Sequence, residues 1–193
     1  MTQADQERWD ILHARMGDRE EPSGFLRLVF DQFGSSLRPG RALDIACGEG
    51  RNSFLLAERG FDVVAMDISP VALAEARRQA EEKSLAISWQ QADLEETELP
   101  AATYDLIVNF NYLQRSLIPQ IKRSLKSGAH VIFETYLIDQ QAIGHPKNPA
   151  YLLGHNELLD LFLGIRVLYC REGKFSEGDQ EAYRAALFAQ KVD

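Results

Sequence analysis

The chain predicts an α/β fold, a mainly parallel sheet with helices on both faces, and three features of the sequence carry that expectation. Short apolar runs alternate with amphipathic stretches from Arg41 to Tyr136. The runs are nearly continuous in apolar residues, as strands buried on both faces are. The first two, Ala42 to Ala46 and a second closing on Asp67, are joined by a tight Cys47-Gly48-Glu49-Gly50 turn and one amphipathic segment, the pattern of a βαβ unit.

Length and charge narrow the field. At 193 residues the chain suits one domain able to bury a full core. With 21 basic against 29 acidic residues its formal charge is −8, which argues against a nucleic-acid partner. Cys47 and Cys170 make no disulfide framework and have no metal-ligand spacing with the four histidines, so no metal is expected and a reducing cytoplasm fits. The first residues lack a basic and apolar secretory pattern, and no apolar run approaches the ~20 residues of a membrane span. A monomer or homodimer is expected.

Residues 1–40 form a leader with helical spacing, Trp9, Leu12, Arg15 and Met16 on one side and Phe25, Leu26, Val29, Phe30 and Phe33 on another. Two helices follow from this, with Pro22-Ser23 between them and Ser23 as N-cap of the second. The leader is expected to pack over the sheet edge or the mouth of the site. Arg38-Pro39-Gly40 turns into the first strand. After the βαβ unit a helix is predicted over Pro70 to Lys83, with proline in its first turn, where a missing N–H costs nothing. Strands are predicted at Ala86 to Gln91, Tyr104 to Phe110 and Ala129 to Tyr136, with a helix over Leu117 to Leu125 and a turn at Lys126-Ser127-Gly128. Leu137 to Leu153 shows no periodicity and is read as a long loop, a common carrier of function. A short helix from Asn156 to Phe162 precedes strands at Ile165 to Arg171 and Ala182 to Gln190. A polar turn over Gly173 to Gly178 makes these an antiparallel hairpin.

Ligands of open α/β sheets sit beyond the carboxyl ends of the strands. Asp44, Asp67, Asp93 and Asn109 fall at four such ends, beside a Gly-x-Gly turn. Gly48 and Gly50 let the backbone approach a ligand. Asp67 is placed to accept ribose hydroxyls and Asp93 an adenine amino group, while Asp44 and the Asn109 region face a cationic amine. A dinucleotide site wants Gly-x-Gly-x-x-Gly with a pyrophosphate on the helix N-terminus. Here Ser53 stands where the third glycine belongs, and Asp44 and Glu49 place negative charge that a pyrophosphate would oppose. The sign of the charge favours S-adenosylmethionine over NAD.

The stretch Asp-Ile-Ala-Cys-Gly-Glu-Gly-Arg-Asn-Ser from Asp44 resembles the first motif of class I S-adenosylmethionine-dependent methyltransferases. Its Cys-Gly-x-Gly-Arg-Asn form is similar to the tellurite-resistance and thiopurine methyltransferase-like branch. The resemblance extends through Asp67-Ile68-Ser69, Gln91-Ala92-Asp93-Leu94, the Tyr104 strand and Phe133-Glu134-Thr135, about residues 20–140 in register. It implies a Rossmann-like three-layer sandwich, its seven-stranded, mostly parallel sheet closing on an antiparallel last strand. The implied cofactor residues are Asp44, Ala46, Gly48, Gly50, Asn52, Asp67, Ile68, Asp93, Leu94 and Asn109, leaving 41–136 as the cofactor-binding core and 137–193 as acceptor-side loop and C-terminal hairpin. Two stretches depart from the branch: Trp9-Asp10 is followed by Ile11-Leu12-His13, and the segment from Gly144 to Tyr151 is unlike the tellurite proteins.

The expected function is methyl transfer from S-adenosylmethionine to a small molecule, a thiol or a chalcogen acceptor such as tellurite or selenite. In-line attack on a sulfonium methyl needs alignment and a water-poor site, and a soft or anionic nucleophile needs no general base. No catalytic acid or base is assigned; an oxygen or amine acceptor would bring in His145 or Glu134. Tyr112, Arg115, His145 and Tyr151 are the acceptor-side candidates. Cys47 is read as a close-packed thiol, and His13, His130 and His155 as residues without a site role. Two alternatives remain, a non-catalytic S-adenosylmethionine-binding regulatory module and an NAD(P)-dependent oxidoreductase.

Overall fold

A computed structural model of the chain describes residue 10, residues 21–177 and residues 180–192. Seven strands form one sheet: β1 (Arg41–Ile45), β2 (Asp62–Asp67), β3 (Ile87–Gln91), β4 (Tyr104–Phe110), β5 (Leu125–Tyr136), β6 (Arg166–Glu177) and β7 (Gln180–Gln190). Their order is β3-β2-β1-β4-β5-β7-β6. The first five strands run parallel, and β7 pairs antiparallel with β5 and β6. From β1 the chain winds outward to β2 and β3, then returns to start β4 on the other side of β1. The order therefore reverses between β1 and β4, where Ile45 pairs with Asn109, and a crevice opens there beyond the strand ends.

The alternation of side chains along these strands divides the core into two layers. On one face Ala42, Val63, Ala65, Leu106, Val108, Ile132, Ala186 and Phe188 pack under α1 (Gly24–Phe33), α2 (Arg51–Glu58) and α3 (Pro70–Glu82) through Phe25, Leu26, Val29, Phe30, Leu56 and Leu73. On the other, Leu43, Ile45, Val64, Ile107, Val131, Phe133 and Leu187 pack under α4 (Ile118–Ser124) and α6 (Glu157–Leu161) through Ile118, Ile121 and Leu158. A short α5 (Gln140–Ile143) precedes α6.

Several expectations change. The first leader helix, with Trp9, Leu12, Arg15 and Met16, lies outside the described residues. The second is α1, and it covers a sheet face rather than an edge, because its apolar stripe meets β4, β5 and β7. Ser23 occupies the N-cap position of α1 but makes no capping hydrogen bond; its hydroxyl donates to Glu134 instead, at 3.3 Å. The turn expected at Lys126-Ser127-Gly128 is a bulge inside β5, since Tyr104 pairs with Leu125 while Leu106 pairs with His130. The loop from Leu137 to Leu153 is partly ordered: it holds α5 and a 3-10 turn at Pro149–Tyr151, and Leu137 bridges Leu153. The polar stretch from Gly173 is strand, not turn. Gly173 pairs with Arg184 and the register runs on to Glu177 opposite Gln180, so the hairpin connection spans residues 178–179 alone. Lys174 and Glu181, 2.5 Å apart, show why a polar composition here still forms a ladder.

Candidate functional site

The chain leaves β1 through Ala46, whose φ of +53° lies in the left-handed region, and the Cys47 N–H donates to the Met66 carbonyl at 3.0 Å. Gly48 (φ +55°) and Gly50 (φ +86°) complete the turn, closed by the Gly50 N–H on the Cys47 carbonyl at 3.0 Å, and α2 begins at Arg51. Gly50 cannot carry a side chain: a Cβ there would stand 2.5 Å from the Trp89 ring.

Asp67 holds this turn from the end of β2. One carboxylate oxygen accepts the Gly48 N–H at 2.7 Å and the other the Ser69 N–H at 2.9 Å. Each oxygen keeps a second acceptor position for a ligand. Asp44 is buried beneath the turn and accepts the Ser53 hydroxyl at 2.6 Å. Burial lifts its carboxyl from the ordinary 3.8 to about 7; Asp67 adds to the rise, while the Ser53 hydroxyl and Arg51 oppose it. Serine at position 53, the expected departure from a dinucleotide motif, thus serves as the partner of Asp44.

Across the crevice, Asn109 is buried at the end of β4 and its amide donates to the Tyr112 carbonyl at 2.8 Å. Its Oδ1 is buried with no partner. Asp44, Asp67 and Asn109 form an acceptor-rich set that suits an ammonium, a sulfonium and hydroxyls but repels phosphate. Arg51, the first residue of the helix, turns away to the Glu21 carbonyl at 3.2 Å.

The remaining candidates fall in different places. Ile68 is buried just beyond β2, and its carbonyl accepts from Gln91 at 3.3 Å. Asp93, just beyond β3, accepts the Glu95 N–H at 2.9 Å at the start of a turn. Leu94 belongs to the core and offers no side-chain surface. Asn52 turns its carbonyl oxygen to the Ser23 N–H at 2.9 Å, tying α2 to the leader. Asp10, near the start of the leader, accepts the Ser69 hydroxyl, so the leader does reach the mouth of the site. Cys47 is buried, its thiol pushed up by burial and then by Asp44 and Asp67, as a packed, protonated thiol is.

Tyr112 lies on the crevice. Its phenol is raised by burial, then by the charges of Glu95, Asp93 and Asp67 and by Tyr151. Tyr151 is 41% exposed. His145 is exposed, and what it contributes is its backbone carbonyl, to Gln140 at 3.1 Å. Arg115 does not point into a pocket: its guanidinium holds Glu157 and the carbonyls of Ala150 and Leu152.

Sequence reasoning named Glu134 but missed the partners that gather around it at the end of β5. Glu134 accepts Arg171 at 3.1 Å and lies 3.6 Å from Arg184. Arg184 donates to Asn111 Oδ1 at 2.5 Å and to the Tyr136 hydroxyl at 3.1 Å, and stacks on the Tyr136 ring. Arg171 stacks on Phe25 and Phe175, with its Nε buried and unpartnered. A signal was present: Arg184 interrupts an otherwise apolar run from Ala182 to Ala189, at a position whose neighbours two and four residues on face the core.

Comparisons with known proteins agree with this geometry. Residues 42–131 match the family model of a methyltransferase domain. A probable S-adenosyl-L-methionine-dependent methyltransferase TehB of Haemophilus influenzae is 32% identical over 159 residues, 78% of this chain and 55% of that one. A ubiquinone biosynthesis O-methyltransferase of Nitrosococcus oceani is 33% identical over 116 residues, 57% of this chain and 49% of that one. The chain thus spans about half the length of these curated relatives. The crystal structure of TehB from Haemophilus influenzae shares the fold with a TM-score of 0.74 at 21% identity, over 95% of this chain and 67% of that one. The chain carries the fold and domain of the class I S-adenosylmethionine-dependent methyltransferases. Among its relatives are the TehB proteins, which are named as S-adenosyl-L-methionine-dependent methyltransferases.

Proposed function

We propose that the chain is a cytoplasmic enzyme, acting as one domain, that transfers a methyl group from S-adenosylmethionine to a small anionic acceptor, a thiolate or a chalcogen oxyanion. The acceptor class rests on one observation, the Arg171–Arg184 pair. Among the described residues of that cluster two guanidiniums, the buried Arg184 and the partly exposed Arg171, lie against the buried Glu134 carboxylate, so the place is rich in positive charge. Guanidinium groups held in such a cluster complement an anionic ligand.

On the donor side, Asp67 and the backbone of Gly48 orient the ribose, and Asp44 with Asn109 Oδ1 takes the amino-acid end. The cofactor supplies an electrophilic methyl on a positive sulfur. The protein aligns the acceptor's lone pair with that methyl and keeps water out. Because a thiolate or an oxyanion of tellurium or selenium already presents a lone pair without a proton, no residue has to act as base. Glu134 is held by Arg171 and Ser23 and has the role of charge partner.

The test is calorimetry with S-adenosylhomocysteine, followed by an acceptor screen with methyl-labelled cofactor read by product mass. Transfer to selenite, tellurite or thiols, with amines and phenols unmethylated, is the expected result. Binding without transfer to any acceptor would overturn the enzymatic reading in favour of a regulatory module.

A further inference from the structure

Arg115 follows β4 in a 3-10 turn, and its guanidinium is fully engaged at one place. Nε and Nη2 grip the Glu157 carboxylate at 2.5 and 2.9 Å, Nη1 donates to the Ala150 carbonyl at 3.0 Å, and Nη2 to the Leu152 carbonyl at 2.8 Å. The two carbonyls flank Tyr151. Glu157 is fixed in turn by the Gly154 N–H at 2.7 Å. The gripped segment is also laced to the carboxyl end of β5, with the Leu153 N–H on the Tyr136 carbonyl at 2.9 Å and the Ile138 N–H on the Leu153 carbonyl at 2.8 Å. One side chain therefore ties the segment beyond β5 to the segment beyond β4, across the carboxyl edge of the sheet. Tyr112 stands on the β4 side of that span: its carbonyl accepts the Asn109 amide at 2.8 Å, and its hydroxyl donates to Gln114, the residue before Arg115, at 2.6 Å. A planar fork with five donors matches this combination of one carboxylate and two carbonyls, and a lysine would not.

We propose that Arg115 is a positioning residue that sets the width of the mouth of the site by holding Tyr151 across from Tyr112. The proposal rests on the methyltransferase reading above, because the mouth it sets is the passage to the Asp67 crevice. A gate of this kind acts on passage and leaves the bound state alone. Loosening it speeds entry and exit together, while the equilibrium constant stays in place.

The experiment is stopped-flow binding of S-adenosylhomocysteine to the full chain, followed by intrinsic tryptophan fluorescence, for the wild type, Arg115→Met and Tyr151→Ala. Association and dissociation rates are expected to rise together at least fivefold in both variants, with the dissociation constant within twofold of wild type. The double variant is expected to be no faster than either single one. The exposed Tyr151→Ala keeps the test available if Arg115→Met folds poorly. Unmoved rates, or a dissociation constant that weakens with the off-rate while the on-rate stays fixed, would overturn the proposal and leave the methyltransferase reading standing. Absence of binding by the wild type would overturn both.

Discussion

In the proposed site Asp44 is expected to make cofactor binding depend on pH, because burial raises its carboxyl. A carboxyl with a pKa of about 7 is about 3% ionised at pH 5.5 and about half ionised at pH 7. The ammonium of the cofactor keeps its charge across this range, so it selects the ionised form, and apparent affinity rises about fifteenfold between those two pH values. Raising an acid's pKa in the fold has the opposite sign for stability. The native state holds the proton more tightly than the unfolded chain, so stability falls as pH rises from the unfolded value near 4 to the folded value near 7. Asp44→Asn removes the charge and keeps an acceptor for the Ser53 hydroxyl. Its stability gain over wild type grows by about 2 to 3 kcal/mol between pH 5 and pH 8, while S-adenosylhomocysteine binding weakens at pH 7 and loses its slope. Calorimetric titrations at four pH values, with urea unfolding at pH 5 and 8, measure both effects. A wild-type affinity flat from pH 5.5 to 7, or an unchanged slope in the variant, would refute the reasoning; Asp67 and Arg51, the other charged groups acting on Asp44, would then have set its ionisation differently.

Gly50→Ala combines a φ of +86° with a Cβ 2.5 Å from the Trp89 ring. A loss of about 2 kcal/mol or more is expected, seen as a lower melting temperature and at least tenfold weaker S-adenosylhomocysteine binding. Arg184→Met removes a positive charge beside Glu134 and is expected to raise the KM for selenite about tenfold with cofactor affinity unchanged; equal loss of both would show a structural role only. His155 is raised by its contact with Asp139, at 2.6 Å. Its contribution is present below the ordinary histidine range and is lost as pH climbs through the raised value. Tryptic cleavage after Lys147 should therefore increase between pH 6 and 8.5, and Asp139→Asn should abolish the change.

The geometry of the proposed cofactor half was legible because its contacts are local. Asp44, Gly48, Gly50 and Ser53 lie within one strand, one turn and the first helical turn, and Asp67 reaches the Gly48 N–H through a single parallel pairing of neighbouring strands. The strands themselves were visible from apolar runs, with Tyr104–Phe110 in place to the residue. The acceptor half was less legible. Polar residues over Gly173 to Glu177 resemble a turn in composition, and only pairing with β7 makes them strand. Arg115 was one acceptor-side candidate; its guanidinium pairs with an acid, Glu157, and with a carbonyl, 42 and 35 positions away.

By itself the sequence determined the class of fold and the acid-and-glycine turn, since each depends on periodicity or on neighbours in the chain. Tertiary structure decided the rest. Bringing Glu134, Arg171 and Arg184 together requires β5, β6 and β7 to pair in antiparallel register, across 37 and more positions of chain. Burying Asp44 until its carboxyl titrates near neutrality requires the sheet and α2 to close over it. Desolvation and long-range charge pairing are properties of packing, and no local pattern of residues records them.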